Sequence, residues 1–148
     1  MLYHLHNYQE MQHYMHNLVE NIKHLPSLCI TLTGDLGTGK TACCQEIIQT
    51  LLSNRIAVTS PTYNLVNIYQ NNNLLIHHYD LYRLNSTEEA LNIGIQDSLY
   101  NNIITLIEWP NIILDYLPQQ YININLKLQT NIRIMQIQTY GNIDIINI

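Results

Sequence analysis

The chain has 148 residues, 47% of them hydrophobic, which suffices for one domain spanning residues 1–148 and leaves no room for a second. Six Lys and Arg against eleven Asp and Glu give a formal charge of −5, so we expect neither DNA binding nor a broad surface of its own for RNA. No apolar run approaches the roughly 18 residues of a membrane span, and no cationic stretch precedes an apolar one at the N-terminus, so we expect a cytoplasmic protein without membrane contact.

The first third of the chain predicts a helix, a buried strand and a second helix. Apolar residues recur at helical spacing over residues 11–25 and stop at Pro26, which predicts an amphipathic opening helix. Residues 28–33 are rich in β-formers and bounded by Pro26 and Gly34, which is typical of a buried strand. Apolar side chains in helical register over residues 41–52 predict the second helix, so a glycine-rich loop joins a strand to a helix.

The rest of the chain is mostly strand-like, with one short helix. Six segments predict strands, at residues 56–58, 65–69, 74–79, 103–107, 121–126 and 132–137. Residues 71–73, all Asn, indicate a hairpin turn, and Ser86 or Thr87 is a suitable cap for the short helix. The last two strands alternate apolar and polar residues, so one face of each should be wet, and turns are expected at residues 130–131 and 141–142.

The strongest chemical signal is a complete G-x-x-x-x-G-K-T motif at residues 34–41, placed between the strand and the helix. Its glycines let consecutive backbone N–H groups turn inward around phosphate oxygens, and the helix adds its positive N-terminal end. Lys40 would reach the β- and γ-phosphates, and the Thr41 hydroxyl would bind Mg²⁺. The motif therefore predicts nucleotide binding, against the alternative of a glycine-rich turn before an ordinary helix.

Two carboxylates follow apolar strands, where a P-loop needs a group near its metal. Glu108 ends one strand directly before Trp109 and Pro110, which favours a specific turn over a glutamate that merely faces solvent. Asp80 ends another strand, and its alternatives are a helix cap or an ion pair with Arg83. Both are candidates for the carboxylate near the metal.

Other motifs are absent from the sequence or carry less weight. There is no Asn-Lys-x-Asp guanine reader, and a kinase that clamps phosphates with lid arginines is disfavoured because the three arginines lie far apart, at Arg55, Arg83 and Arg133. Metal-ligand side chains occur in three pairs: His13 and His16, His77 and His78, Cys43 and Cys44. We interpret the histidines as solvated or structural and the cysteines as packing residues, since three cysteines suggest no disulfide framework.

Four motifs in order resemble those of the TsaE family, and the resemblance covers nearly the whole chain. They lie at residues 34–41, 60–67, 78–84 and 106–110. The resemblance implies an α/β, P-loop NTPase-like three-layer fold with a central, mostly parallel mixed sheet and antiparallel C-terminal strands. It also implies an ATPase that uses ATP, ADP and Mg²⁺ and acts with TsaB and TsaD in the threonylcarbamoyl modification of adenosine in transfer RNA, which the chain would contact only indirectly.

The resemblance assigns roles to individual residues. Thr41 and Glu108 would hold Mg²⁺, Asp80 would lie near the γ-phosphate or the attacking water, and Thr62 would lie in a switch-like loop. The residues expected to act in catalysis are Lys40, Thr62, Asp80 and Glu108. The residues expected to contact the nucleotide are Gly34, Asp35, Leu36, Gly37, Thr38, Gly39, Lys40, Thr41, Ala42 and Arg133.

The sequence departs from the family pattern at a few positions and leaves a second hypothesis. Ala42 stands where a second hydroxyl often follows the Lys-Thr pair, and Asn64 stands where Thr is common, but every metal and phosphate position is kept. The alternative to an ATPase subunit is a nucleotide-dependent protein-binding module with negligible hydrolysis of its own. Single-turnover hydrolysis with and without partners separates the two.

Overall fold

The computed structural model describes residues 1–130 and 132–146. The turn expected at residues 130–131 includes Asn131, which lies outside the described residues. Within them the chain forms, in order, β1 (Leu2–Leu5), α1 (Tyr8–Ile22), β2 (Leu28–Thr33), α2 (Lys40–Leu52), β3 (Val66–Gln70), β4 (Leu75–Asp80), α3 (Thr87–Asn92), α4 (Ile95–Tyr100), β5 (Ile104–Glu108), a 3₁₀ segment (Pro110–Tyr116), β6 (Tyr121–Gln129) and β7 (Ile132–Tyr140).

The strands form one mixed sheet in the order β1-β7-β6-β2-β5-β4-β3. Its middle is parallel, because β2 pairs with β5 on one side and with β6 on the other, and β5 pairs with β4. The outer pairs are antiparallel: β1 with β7, β7 with β6, and β4 with β3. The predicted mostly parallel central sheet and the antiparallel C-terminal strands are therefore confirmed.

Helices cover both faces of the sheet, because alternate residues of its central strands point to opposite sides. On one face, Ile30 of β2 lies in a buried cluster with Leu18 of α1 and Ile47 of α2. On the other face, Cys29 of β2 lies in a second cluster with Leu99 of α4. Each fully buried Leu or Ile contributes about 1.5–3 kcal/mol. The expected three layers are present, with two separate apolar cores.

Two helices, α1 and α3, begin where the sequence provides a capping side chain. The Asn7 side chain accepts a hydrogen bond from the Glu10 backbone N–H at 2.9 Å, so α1 begins three residues before the predicted range. Ser86 caps α3 by accepting from the Glu89 backbone N–H, as predicted. No helix within residues 1–130 and 132–146 is long and apolar enough to cross a membrane.

One strand prediction is wrong and three elements were not predicted. Residues 56–58 form no strand: Val58 is buried, Ile56 packs partly buried against the same core and Ala57 is exposed, so this short apolar run anchors a loop. The strand β1 buries only Leu5 of its four residues and is defined by its pairing with β7 rather than by its own pattern. The helix α4 has six residues and the 3₁₀ segment seven, about two turns each, which is too short for an apolar repeat to be recognised in the sequence.

Candidate active site

The glycine-rich loop connects the carboxyl end of β2 to the first turn of α2. Gly34, Gly37 and Gly39 have φ of 133°, 79° and 103°, backbone angles that residues with a Cβ rarely adopt. The Thr38 hydroxyl donates to the Asp35 carbonyl at 2.8 Å and closes the loop from inside. Residues 34–39 therefore form a tight turn that leads directly into the N-terminus of α2, as the motif predicts.

Among the three loop glycines, Gly34 has the least room for a side chain. A Cβ there would lie 2.1 Å from the Leu126 carbonyl oxygen of β6, whereas a Cβ on Gly37 would meet nothing within 4 Å. We expect Gly34→Ala to lower the free energy of unfolding by about 2–5 kcal/mol, from overlap and backbone strain together. Gly37→Ala, the matched control, carries the strain alone and should cost about 1 kcal/mol. Equal losses in urea unfolding would contradict this account.

Lys40 is buried at the start of α2, and its ammonium is held by oxygens of the loop itself. Its Nζ donates to the carbonyls of Gly34 and Asp35 at 2.8 and 2.7 Å. The same nitrogen lies 4.0 Å from the ring centroid of Trp109. Burial lowers the pKa of Lys40, and the nearby Glu108 is the largest opposing influence. The loop thus holds a partly desolvated cation.

Glu108 lies at the carboxyl end of β5 and faces α2. Both of its oxygens accept a hydrogen bond from the Thr41 hydroxyl, at 2.9 and 3.0 Å. Its Oε1 also lies 2.9 Å from Nε2 of His78 on β4. Only 2% of Glu108 is exposed, so the alternative of a strand-end glutamate facing solvent is wrong. The neighbouring strands β2 and β5 bring this carboxylate to the first turn of α2.

Asp80 ends β4 beside Glu108, with which it is paired in register. Its Oδ2 accepts hydrogen bonds from the hydroxyls of Ser60 and Thr62, and its Oδ1 accepts from the Tyr82 backbone N–H. Within the described part of the chain Asp80 forms no ion pair with Arg83, whose guanidinium instead lies 4.2 Å over the ring of Tyr63. Asp80 therefore fixes the loop that carries Thr62 to the sheet.

A cleft of about 370 Å³ brings most of these groups together. It is lined by Leu36, Gly37, Gly39, Lys40, Thr41, Ser60, Thr62, Asp80, Tyr82, Arg83, Glu108 and Trp109. All four residues predicted to act in catalysis are in that set. Besides Arg133, four residues predicted to contact a nucleotide do not line the cleft: Gly34, Asp35, Thr38 and Ala42. Their predicted roles would depend on backbone groups or on loop shape.

Arg133 on β7 is a further predicted nucleotide contact, and it lies beside the loop rather than in the cleft. A Cβ on Gly39 would be 3.5 Å from its Nε. This buried Nε has no hydrogen-bond partner among residues 1–130 and 132–146. The guanidinium therefore lies near the loop backbone, at the side of the loop where β7 runs.

Two groups of the site were not given roles by the sequence. His78 is wholly buried against Glu108, and Ser60 contacts Asp80. A signal for His78 was present, because residues two apart on a strand share a face and His78 therefore lies on the face of Asp80. His77 points to the opposite face and contacts Ser98 of α4, as adjacent strand residues should.

The fold and the loop define the class first. Helices on both faces of a mostly parallel sheet, with a glycine-rich loop from β2 into α2, make this an α/β protein of P-loop-like fold. The crystal structure of Bacillus subtilis YdiB matches it with a TM-score of 0.76 over 96% of this chain and 86% of that one, at 24% identity. That likeness supports the fold.

Sequence comparison then gives the family. The family model for "Threonylcarbamoyl adenosine biosynthesis protein TsaE" matches residues 5–135. Proteins named "tRNA threonylcarbamoyladenosine biosynthesis protein TsaE" are 39% identical in Rickettsia typhi, over 86% of both chains, and 34% identical in Haemophilus influenzae, over 79% of this chain and 73% of that one. The chain belongs to the TsaE family, as the four motifs indicated.

Proposed function

We propose that this chain binds and hydrolyses ATP with Mg²⁺ and, with TsaB and TsaD in the cytoplasm, supports formation of the threonylcarbamoyl group on adenosine in transfer RNA. One observation carries the ATPase part: Lys40, Asp80 and Glu108 line one cleft at the mouth of the glycine-rich loop. The tRNA part follows from family membership and from the names of the relatives. The net negative charge favours indirect contact with tRNA through partners.

The hydrogen bonds of the Lys40 ammonium support phosphate binding at the loop. Its ammonium donates to two loop carbonyls, which are neutral acceptors, and phosphate oxygens are stronger acceptors because they carry charge. The backbone N–H groups at the start of α2 and the helix dipole favour an anion at the same place. We infer that oxygens of the β- and γ-phosphates would replace the Gly34 and Asp35 carbonyls as acceptors for the Lys40 ammonium.

Thr41 and Glu108 fit Mg²⁺ in chemistry and in spacing. Their oxygens are hard ligands. The Thr41 hydroxyl oxygen lies 2.9 and 3.0 Å from the two carboxylate oxygens of Glu108. Metal–oxygen bonds of 2.0–2.1 Å at right angles place neighbouring ligands about 2.8–3.0 Å apart. When bound, Mg²⁺ would supply positive charge that neutralises the charge developing on the phosphate oxygens. The Thr41 hydroxyl and the Glu108 carboxylate would then hold the cation at the start of α2.

Asp80 is proposed to orient the attacking water. We expect Asp80→Asn to lower the hydrolysis rate about 10²-fold, because the amide cannot accept a proton, and to change ATP affinity little. The amide oxygen keeps an acceptor for the Tyr82 N–H, and the amide NH₂ can donate to the Ser60 and Thr62 hydroxyls, so folding should be preserved. Ser60→Ala is the matched control, since it removes one contact to Asp80 and leaves the carboxylate. Single-turnover rates that are equal for Asp80→Asn and the parent chain would contradict the assignment.

The proposal as a whole is tested by hydrolysis with and without partners. Among the described residues the cations lining the cleft are Lys40 and Arg83, and Arg83 is stacked on Tyr63. Because charge stabilisation of a transferring phosphoryl group often needs a further arginine, we expect slow hydrolysis alone and faster hydrolysis with TsaB and TsaD. Partner affinity should then differ between ATP analogue, ADP and no nucleotide.

Three outcomes of that experiment are distinct. Acceleration by partners with nucleotide-dependent affinity supports the coupled ATPase. Nucleotide-dependent affinity without hydrolysis, even in the complex, favours the protein-binding module. Full activity of the isolated chain with partner affinity indifferent to nucleotide refutes both and leaves a self-sufficient ATPase.

A further inference from the structure

Directly beneath the cleft, three side chains with different metal-binding chemistry meet. Cys44 lies on α2 one turn after Thr41, His78 on β4 and Glu108 on β5. The Cys44 Sγ, a ring nitrogen of His78 and a carboxylate oxygen of Glu108 all lie within 4.8 Å of one another. Cys44 and His78 are fully buried and Glu108 is 2% exposed. This group is called the triad below.

The triad offers ligands that a hard cation such as Mg²⁺ does not prefer. Thiolate and imidazole are ligands of Zn²⁺ and related ions, whereas Mg²⁺ favours oxygen ligands with near-octahedral geometry. The two ring nitrogens of His78 differ: Nε2 lies 2.9 Å from Glu108, whereas the wholly buried Nδ1 has no hydrogen-bond partner in the described parts of the chain. We propose that Cys44, His78 and Glu108 bind Zn²⁺ or another thiophilic divalent ion.

Charge and spacing are compatible with such an ion. A thiolate and a carboxylate together balance two positive charges, so the occupied buried site would be neutral. Zinc bond lengths and tetrahedral angles place ligand atoms about 3.3–3.7 Å apart. His78 Nε2 and Glu108 Oε1, which lie 2.9 Å apart, would have to separate slightly, and the ligand atoms of all three side chains lie within 4.8 Å of one another. The zinc–sulfur bond forms as the thiol proton passes to solvent. Burial raises the pKa of the Cys44 thiol, so the thiol keeps its proton in the empty site. The positive charge of a bound ion would stabilise the thiolate and so release that proton.

The triad adjoins the cleft, because Glu108 belongs to the triad and also lines the cleft. The same carboxylate accepts the hydroxyl of Thr41, so a thiophilic ion below would compete for it with Mg²⁺ above. Cys43, the neighbouring thiol, is equally buried and is not part of the triad. It supplies a matched control for a cysteine substitution in the same helical turn.

The test uses the full, metal-free chain titrated with Co²⁺, which reports thiolate ligation by a near-ultraviolet charge-transfer band. The parent chain and Cys43→Ala should both show the band, and Zn²⁺ should displace it. Cys44→Ala should lose the band and bind Zn²⁺ at least about 10-fold more weakly. His78→Gln should keep the band and lose affinity. Thermal unfolding checks each fold, and Cys44→Ser replaces Cys44→Ala if the alanine variant does not fold.

Absence of the band in the parent chain, or an unchanged band in Cys44→Ala or its serine replacement, overturns the proposal. Only the competition with Mg²⁺ rests on the proposed function, and it has its own readout. Excess Mg²⁺ with ADP should weaken Zn²⁺ binding to the parent chain. A thiolate band that ignores Mg²⁺ and ADP would leave the triad as a metal site and count against Glu108 as a shared ligand.

Discussion

Replacing Lys40 by alanine is expected to weaken binding of ATP and ADP by about 10²-fold, or about 3 kcal/mol, since charge-assisted hydrogen bonds contribute about 1.5–3 kcal/mol each. Lys40 lies at the start of α2, directly after the glycine-rich loop, and its Nζ donates to two loop oxygens. Calorimetry with and without Mg²⁺ measures the loss directly. Equal affinities for the parent chain and Lys40→Ala would remove the phosphate-binding role.

Two further variants separate charge from folding in this experiment. Lys40→Met keeps much of the buried aliphatic stem beneath Trp109 and removes the ammonium, so it should bind as poorly as Lys40→Ala while unfolding at a similar denaturant concentration to the parent. Lys127→Ala removes an exposed lysine on β6 and should leave affinity unchanged. A comparable loss in Lys127→Ala would indicate a general charge effect.

The second large effect is expected for Glu108→Gln, which should lower hydrolysis about 10²–10³-fold and raise the Mg²⁺ concentration required. Glutamine has the same shape and still offers an oxygen to Thr41, so the fold should be kept, but it lacks the charge that matches the cation. Steady-state hydrolysis across a Mg²⁺ titration separates weaker metal binding from slower chemistry.

Glu46, on α2 and away from the cleft, offers a matched control for Glu108→Gln. Glu46 accepts hydrogen bonds from the side chains of Tyr8 and Gln12, so Glu46→Gln makes the same chemical change between α1 and α2. It should hydrolyse ATP at the parent rate. If Glu108→Gln also keeps the parent rate at saturating Mg²⁺, the assignment of Glu108 as a metal ligand is wrong.

The parts of the fold that were predictable are those with local causes. The glycines of residues 34–41 mark positions where the backbone must adopt positive φ, which is visible in the sequence itself. The apolar repeat of α1 likewise predicts which face of the helix is buried. The same local reasoning failed where an element has no pattern of its own. The strand β1 exists because β7 offers an edge, and the apolar run at 56–58 has no strand to pair with among the described residues.

The candidate site divides along the same line. The sequence by itself determined the loop, the lysine and threonine at the start of α2, and two carboxylates at strand ends, because each depends on neighbours along the chain. Only the tertiary structure decided that Glu108 meets Thr41, 67 positions away, because this requires β5 to pair with β2 and α2 to pack on that face. It also decided that His78 and Cys44 join Glu108, since sheet order and helix packing are set by cooperative burial across the whole chain rather than by any local pattern.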